Sequence, residues 1–249
     1  MKKVHVLWFV AFLLLAPVLF QSCSDDDDVV YVWNPYLSPN ALVTVKGGTD
    51  SCFLQLDDET TLWPVNLSSS PFGEKEVRAL VHFTDVDEDR HSRARAVYVN
   101  WMDSILTKKT VPDSALVNDS LYGNDPVEIV DDWVTVAEDG YLTLRFSTLW
   151  GSRWIPHKVN LLTGGNPENP YEVEFRHDAC GDAGSWRSDA LVAFDLGKLP
   201  DTGGRTVKLT LVWRSFRGRR TAEFDYCTRK KTGNVAKQIE QMQRGGALR

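Results

Sequence analysis

Trp133-Val-Thr-Val-Ala-Glu-Asp-Gly-Tyr-Leu-Thr-Leu-Arg-Phe146 is the stretch that decides the class of this chain. Val134 and Val136 alternate with polar neighbours up to Glu138-Asp139-Gly140, and Leu142, Leu144 and Phe146 alternate away from it. A period of two marks half-buried strands, and Asp-Gly between two such runs is a strong hairpin signal. Trp133 and Tyr141 fall in the opposite phase, beside Thr135, Thr143 and Arg145. This phase either faces solvent or packs between the two domains or under a loop. On the solvent-facing reading Trp133, Tyr141 and Arg145 make the candidate binding surface, because exposed Trp, Tyr and Arg are the residue types of binding hot spots.

Further apolar runs follow the hairpin: His157 to Leu162, Tyr171 to Phe175, Asp189 to Leu196, Thr206 to Trp213 and Arg220 to Tyr226. Turn-rich segments at Thr163 to Pro170, Gly181 to Ser185 and Pro200 to Gly204 separate them. Seven short strands over about 95 residues predict an immunoglobulin-like β-sandwich, here spanning 124–228. Trp213 falls in phase with its apolar neighbours and reads as core. Trp150, Trp154 and Trp186 sit at strand ends or loops, with Arg153 and Arg187 adjacent to the last two.

Upstream the pattern is also strand. Asn40 to Lys46 is a β-branched run, and Phe53 to Leu56 and Thr61 to Val65 flank an Asp57–Thr60 loop. In Val77 to Phe83, Val77, Ala79, Val81 and Phe83 share one face, while Arg78, Leu80 and His82 share the other. In Arg95 to Met102, Val97, Val99 and Trp101 alternate with polar or small residues. These five strands form a first domain over 39–110. The pattern pauses over Thr110 to Asp125, where Pro112, Gly123 and several Asp, Asn and Ser residues predict a short helical or irregular connection. The chain is all-β.

Three of these segments resemble a known family: Phe53-Leu-Gln-Leu-Asp-Asp-Glu-Thr-Thr-Leu-Trp-Pro64, Val77-Arg-Ala-Leu-Val-His-Phe83 and Val97-Tyr-Val-Asn-Trp-Met-Asp-Ser-Ile-Leu-Thr-Lys108. Together they resemble the NigD-like lipoproteins. The resemblance implies a small OB-like β-barrel followed by a β-sandwich. The family is named from a bacteriocin locus whose founding member is a proposed immunity protein, so the resemblance also implies an immunity-type role.

The N-terminus carries an address. Lys2 and Lys3 precede an apolar run from Val6 to Phe20, which ends at Gln21-Ser22-Cys23. Basic, apolar and then small is the layout of a secretory signal, and about 15 apolar residues are short for a membrane span. Cys23 after Ser22 resembles the lipobox of bacterial lipoproteins, although Phe20 and Gln21 depart from its usual pattern. That resemblance implies cleavage after residue 22, a diacylglyceryl thioether on Cys23 and an acylated (palmitate-type) N-terminus. Multiple chains make a lasting anchor where one does not. Ser24, Asp25, Asp26, Asp27 and Asp28 resemble the export tag of surface lipoproteins in the outer membrane. Residues 23–38 read as an acidic linker, since four adjacent like charges repel and bury nothing.

The whole chain of 249 residues has a net charge of −6, and removing Lys2 and Lys3 with residues 1–22 takes it to −8. An acidic chain without a long basic run is a poor nucleic-acid binder. The C-terminal segment 229–249 is a basic tail with apolar residues at Val235, Ile239 and Met242, the spacing of a short helix. Cys52 alternates with Leu54 and Leu56 and reads as a buried thiol. Cys180 and Cys227 are the candidate disulfide of an exported protein, worth about 4 kcal/mol in the chain-entropy model.

No metal site and no cofactor are expected. The histidines His82, His91, His157 and His177 lack close zinc spacing, and the cysteines form no CxxC pair. Asp85, Asp87 and Asp89 are spaced like calcium-loop ligands, but Arg90 stands where glycine is needed. No catalytic residue is assigned, because there is neither a Gly-x-Ser-x-Gly elbow nor a phosphate-binding glycine loop. The expectation is a non-enzymatic outer-membrane surface lipoprotein that binds a protein or glycan ligand. Bacteriocin immunity comes first, with a glycan-binding accessory protein and a structural or adhesive envelope component as alternatives.

Overall fold

The computed structural model describes residues 31–32, 39–86, 92–182 and 184–229. Cys23, Ser24 to Asp28, Asp87, Asp89, Arg90, His91 and the basic tail beyond Arg229 lie outside the described residues.

After a two-residue strand β1 (Tyr31–Val32), five strands close a barrel: β2 (Ala41–Gly47), β3 (Cys52–Gln55), β4 (Thr61–Pro64), β5 (Val77–Asp85) and β6 (Ala94–Ser104). Their order around the barrel is β2-β3-β4-β6-β5. The β4–β6 pair is parallel and the others are antiparallel. This is the five-stranded OB arrangement. Alternation fills its interior with Ala41, Val43, Val45, Leu54, Leu62, Ala79, Val81 and Val97. Cys52 lies in this core, and burial pushes its thiol up to about 11.

One side chain departs from the sequence phase. His82 pairs with Trp101 but Phe83 pairs with Val99, so Asn100 is the extra residue of a β-bulge. A bulge shifts the alternation by one. Met102 turns into the barrel instead, and Trp101 leaves the phase of Val97 and Val99 to pack outside it.

The sandwich begins earlier than its strand pattern suggests. Its strands are β7 (Leu106–Lys109), β8 (Val111–Pro112), β9 (Glu128–Ile129), β10 (Val136–Glu138), β11 (Tyr141–Trp150), β12 (Lys158–Thr163), β13 (Glu172–Asp178), β14 (Trp186–Asp195), β15 (Val207–Ser215) and β16 (Gly218–Tyr226). One sheet runs β1-β14-β11-β10, with β7 also on β14 and β9 also on β11. The other runs β16-β15-β13-β12-β8. Leu106–Lys109, placed in the first domain by its position before the turn-rich segment, pairs in parallel with Val192–Asp195 and belongs to the sandwich. Tyr31–Val32, within the expected linker, pairs with β14 as well. A 3₁₀ turn at Ala115–Val117 and a short helix α1 (Asn118–Tyr122) form the connection.

Leu142, Leu144 and Phe146 of β11 face Leu161, Phe175, Leu209, Leu211 and Trp213 across the sandwich. A third apolar cluster joins the two domains. Leu42 and Leu80, on the outer face of the barrel, meet Val134, Leu191 and Ala193 on the outer face of the sandwich, with Ile105 at the hinge between them. This explains why β2 is buried on both faces.

Candidate binding surface

The hairpin register revises the surface expected from the sequence. Glu138 pairs with Tyr141, leaving Asp139 and Gly140 as a two-residue turn, both with positive φ (47° and 76°). That is the type I′ geometry, for which Asp-Gly is suited. Residues opposite each other share a face, and Val136 is opposite Thr143 while Ala137 is opposite Leu142. Val134 and Val136 therefore lie on the Tyr141–Thr143 side, against the barrel, and not with Leu142 in the sandwich core.

Tyr141, Trp133 and Arg145 consequently do not form one exposed surface. Tyr141 is only 5% exposed. Its hydroxyl donates to Glu76 Oε1 of the barrel at 2.7 Å, and the Arg229 guanidinium lies 5.0 Å from its ring centre. Burial, then the Glu76 carboxylate, push the Tyr141 hydroxyl well above the ordinary phenol range. Arg145 is half-buried and holds Asp132 at 2.7 Å and Asp189 at 2.6 Å. Trp133 sits in a turn and is 50% exposed.

Around Tyr141 the two domains share a bonded network. Arg78 has 0% exposure, and its guanidinium donates to Thr44 (3.0 Å), Thr143 (3.3 Å) and Glu138 (3.0 Å). Lys46 reaches Asp139 at 2.8 Å, and burial lowers its pKa while Asp139 counters the shift. Asp58 accepts the Asp139 N–H at 2.7 Å. Arg229 closes the group through the Asp139 carbonyl (2.8 Å) and Glu76 (2.6 Å). Such groups are tolerated out of water because their polar atoms are paired.

The opposite pole of the sandwich is built differently. The end of β11, the start of β14, the β11–β12 loop and the β15–β16 turn converge there, since Trp150 pairs with Trp186 and Ser215 with Gly218. Trp154 is 81% exposed, and Trp186 and Phe216 are also exposed. The Arg153 guanidinium stacks 5.0 Å from the Trp154 ring centre, and that of Arg187 lies 4.9 Å from Phe216. The aromatic signal at Trp154 and Trp186 was legible in the sequence. Phe216 and its arginine-rich turn carry no comparable signal in the sequence.

A buried polar chain supports this pole. Asp182 accepts the N–H groups of Gly151 (2.8 Å) and Ser152 (3.1 Å), and its carboxylate lies 3.2 Å from His157 Nε2. His157 Nδ1 is 2.9 Å from His177 Nε2, and the indole of Trp150 stacks on His157 at 3.9 Å. With Asp182 ionised, His157 donates from Nε2 and accepts at Nδ1, and His177 donates from Nε2. A proton on His177 would sit at Nδ1, which is buried without a partner. Burial and the neighbouring His157 accordingly lower its pKa to about 4. The backbone N–H groups of Gly151 and Ser152 help hold Asp182 below the usual carboxylate range. Twenty residues separate the two histidines, so sequence spacing gave no sign of the pair.

Cys180 and Cys227 are free thiols at opposite poles. Cys227 follows Tyr226, which pairs with Val207 at the start of β15. Cys180 lies beyond Asp178, and β13 runs parallel to β15 with Phe175 beside Trp213 near its end. About nine residues of strand at about 3.3 Å each place them roughly 30 Å apart, against the 7 Å limit for Cα atoms in a disulfide. The candidate disulfide is therefore excluded by topology.

Comparison with known proteins matches the same two units. The NigD-like N-terminal OB domain matches residues 42–105, and the NigD-like C-terminal beta sandwich domain matches residues 109–226. No curated protein matches the chain. Among solved structures, a putative toxin related protein from Parabacteroides distasonis is 34% identical, with a TM-score of 0.64 over 81% of this chain and 98% of that one. A protein of unknown function from Bacteroides vulgatus is 21% identical, with a TM-score of 0.60 over 78% and 92%. A NigD-like immunity protein from Bacteroides caccae is 21% identical, with a TM-score of 0.56 over 77% and 99%. With both domains matched in order and a 34% identical relative spanned almost end to end, the chain belongs to the NigD-like family.

Proposed function

We propose that the chain is a lipid-anchored surface protein that acts by binding, without catalysis, in the manner of an immunity protein that intercepts an incoming toxin. The observation that carries this reading is the exposed pole formed by Trp154, Trp186 and Phe216. Large rings left in water at converging loops are what a binding partner desolvates. The family's origin in a bacteriocin locus supplies the immunity reading. Cys23 and the Ser24–Asp28 run support a lipid anchor on the outer face of the outer membrane. Among the described residues no helix is long and apolar enough to cross a membrane. Tyr31 and Val32 pair with Leu191 and Ala190, so β1 runs toward the Trp186 end and the chain enters it from the Asp195 end. The aromatic pole therefore faces away from that entry.

A toxin-sensitive strain expressing the full chain is the test. Protection against a bacteriocin encoded beside a gene of this family is expected, with loss of protection in W154A/W186A. Absence of protection from every such bacteriocin contradicts the immunity reading. The anchor is tested separately, since C23A should leave the membrane fraction. A glycan ligand is the second reading, because the same exposed rings suit sugar faces. Glycan-array binding that disappears in W154A/W186A would favour it over immunity.

A further inference from the structure

The turn joining β15 to β16 reads Arg214-Ser-Phe-Arg-Gly-Arg-Arg220, four arginines in seven residues on a chain of net charge −6. Arg214 and Arg219 pair directly across the hairpin. Like charges opposite one another destabilise a sheet, so folding alone gives no reason for this arrangement. Arg214 is engaged by the Asn124 carbonyl (2.8 Å), and Arg219 approaches Glu172 only at 3.7 Å. Arg153, Arg187, Arg217 and Arg220 are exposed and have no carboxylate partner among the described residues. Arg187 reaches the turn itself through its stack on Phe216.

We propose that this pole docks an acidic protein face, with Arg153, Arg187, Arg217 and Arg220 taking carboxylates while Trp154, Trp186 and Phe216 supply the apolar contact. The inference rests on the binding-module reading above and adds the partner's charge. A planar guanidinium matches a carboxylate with two parallel hydrogen bonds. Opposite potentials across an interface steer encounter and exclude wrong partners. A protein partner is favoured over a sugar because one face of Trp154 and one of Phe216 already carry a guanidinium. It is favoured over a membrane because β1 is entered from the far end of its sheet.

The test uses the full chain and poly-L-glutamate as the probe, by titration calorimetry at low and at physiological salt. Binding is expected at low salt, weaker at physiological salt, and at least ten-fold weaker in R217E/R220E. The control K208E changes a cation at the other pole and should leave binding unchanged. Thermal unfolding checks that both variants fold. No binding to poly-L-glutamate, or equal losses in R217E/R220E and K208E, overturns the proposal. Binding of heparin or of phosphatidylglycerol vesicles in preference to poly-L-glutamate also overturns it, in favour of an anionic glycan or a lipid surface. If poly-L-glutamate fails while W154A/W186A still abolishes bacteriocin protection, the binding module stands and its acidic partner does not.

Discussion

At the Tyr141 end of the β11–β14 pair, arginine, lysine and tyrosine are withdrawn from water and bonded across a domain junction. At the Trp150 end, arginine, tryptophan and phenylalanine stand in solvent. The residue types are nearly the same. What separates the two ends is whether a neighbouring domain supplies partners. Arg78, the most buried arginine among the described residues, has two threonine hydroxyls and a carboxylate within 3.3 Å. Arg217 and Arg220 have no carboxylate among the described residues. An aromatic or an arginine is left in solvent only where the register leaves it unmatched.

Removing Arg78 should break the near end most severely. Arg78→Ala leaves Glu138 without its cation and empties a buried site, and losing one partner of a buried pair costs about 3–5 kcal/mol. Urea unfolding should show that loss, and a change below about 1 kcal/mol would mean that the junction does not bury this charge. The far end is expected to fail through its foundation instead. The unfolded His177 imidazole takes its proton near pH 6.5 and the folded one near pH 4. Between those values the unfolded state binds more protons, so stability falls as the pH drops through that window. The loss should reach about 3 kcal/mol at pH 4, and His177→Gln should flatten this part of the pH profile. An unchanged profile in the variant would remove the buried pair from the account.

Two smaller effects sharpen the contrast. Tyr141→Phe deletes the hydroxyl that bonds Glu76 and Arg229 while keeping the ring, and should cost about 1 kcal/mol. Trp154→Ala should change stability by about 0.5 kcal/mol or less, as for an exposed side chain that meets only the solvent-facing Arg153 guanidinium. A stability loss in Trp154→Ala as large as that in Tyr141→Phe would erase the distinction between the ends.

Much of the barrel was legible because its phases are local. Val77, Ala79, Val81 and Phe83 line its interior as their alternation implies. The outer set was not legible as core, because Leu42 and Leu80 become buried only when Leu191 and Ala193 arrive from about 110 to 150 residues further along the chain. Arg78, on the same outer face as Leu80, is buried for the same reason. Trp101 was misplaced by a single bulged residue, which no periodicity reports. The hairpin differs in kind. Its turn is legible, but the two-residue loop fixes Val136 opposite Thr143, and that register moves both valines to the junction. Leu106–Lys109 pairs in parallel with β14, a contact that sequence neighbourhood cannot supply. At the far pole, Trp154 and Trp186 were visible as loop aromatics, while the Asp182–His157–His177 chain depends on three segments meeting.

Hydroxyl-radical footprinting with mass spectrometry tests the central contrast most directly, because it reads side-chain access residue by residue in the folded chain. Trp154 and Trp186 should be oxidised rapidly, and Tyr141 should stay protected until the protein unfolds. Oxidation of Tyr141 at a rate comparable to that of Trp154 would contradict the assignment of one end to the domain junction and the other to solvent, where the proposed binding surface lies.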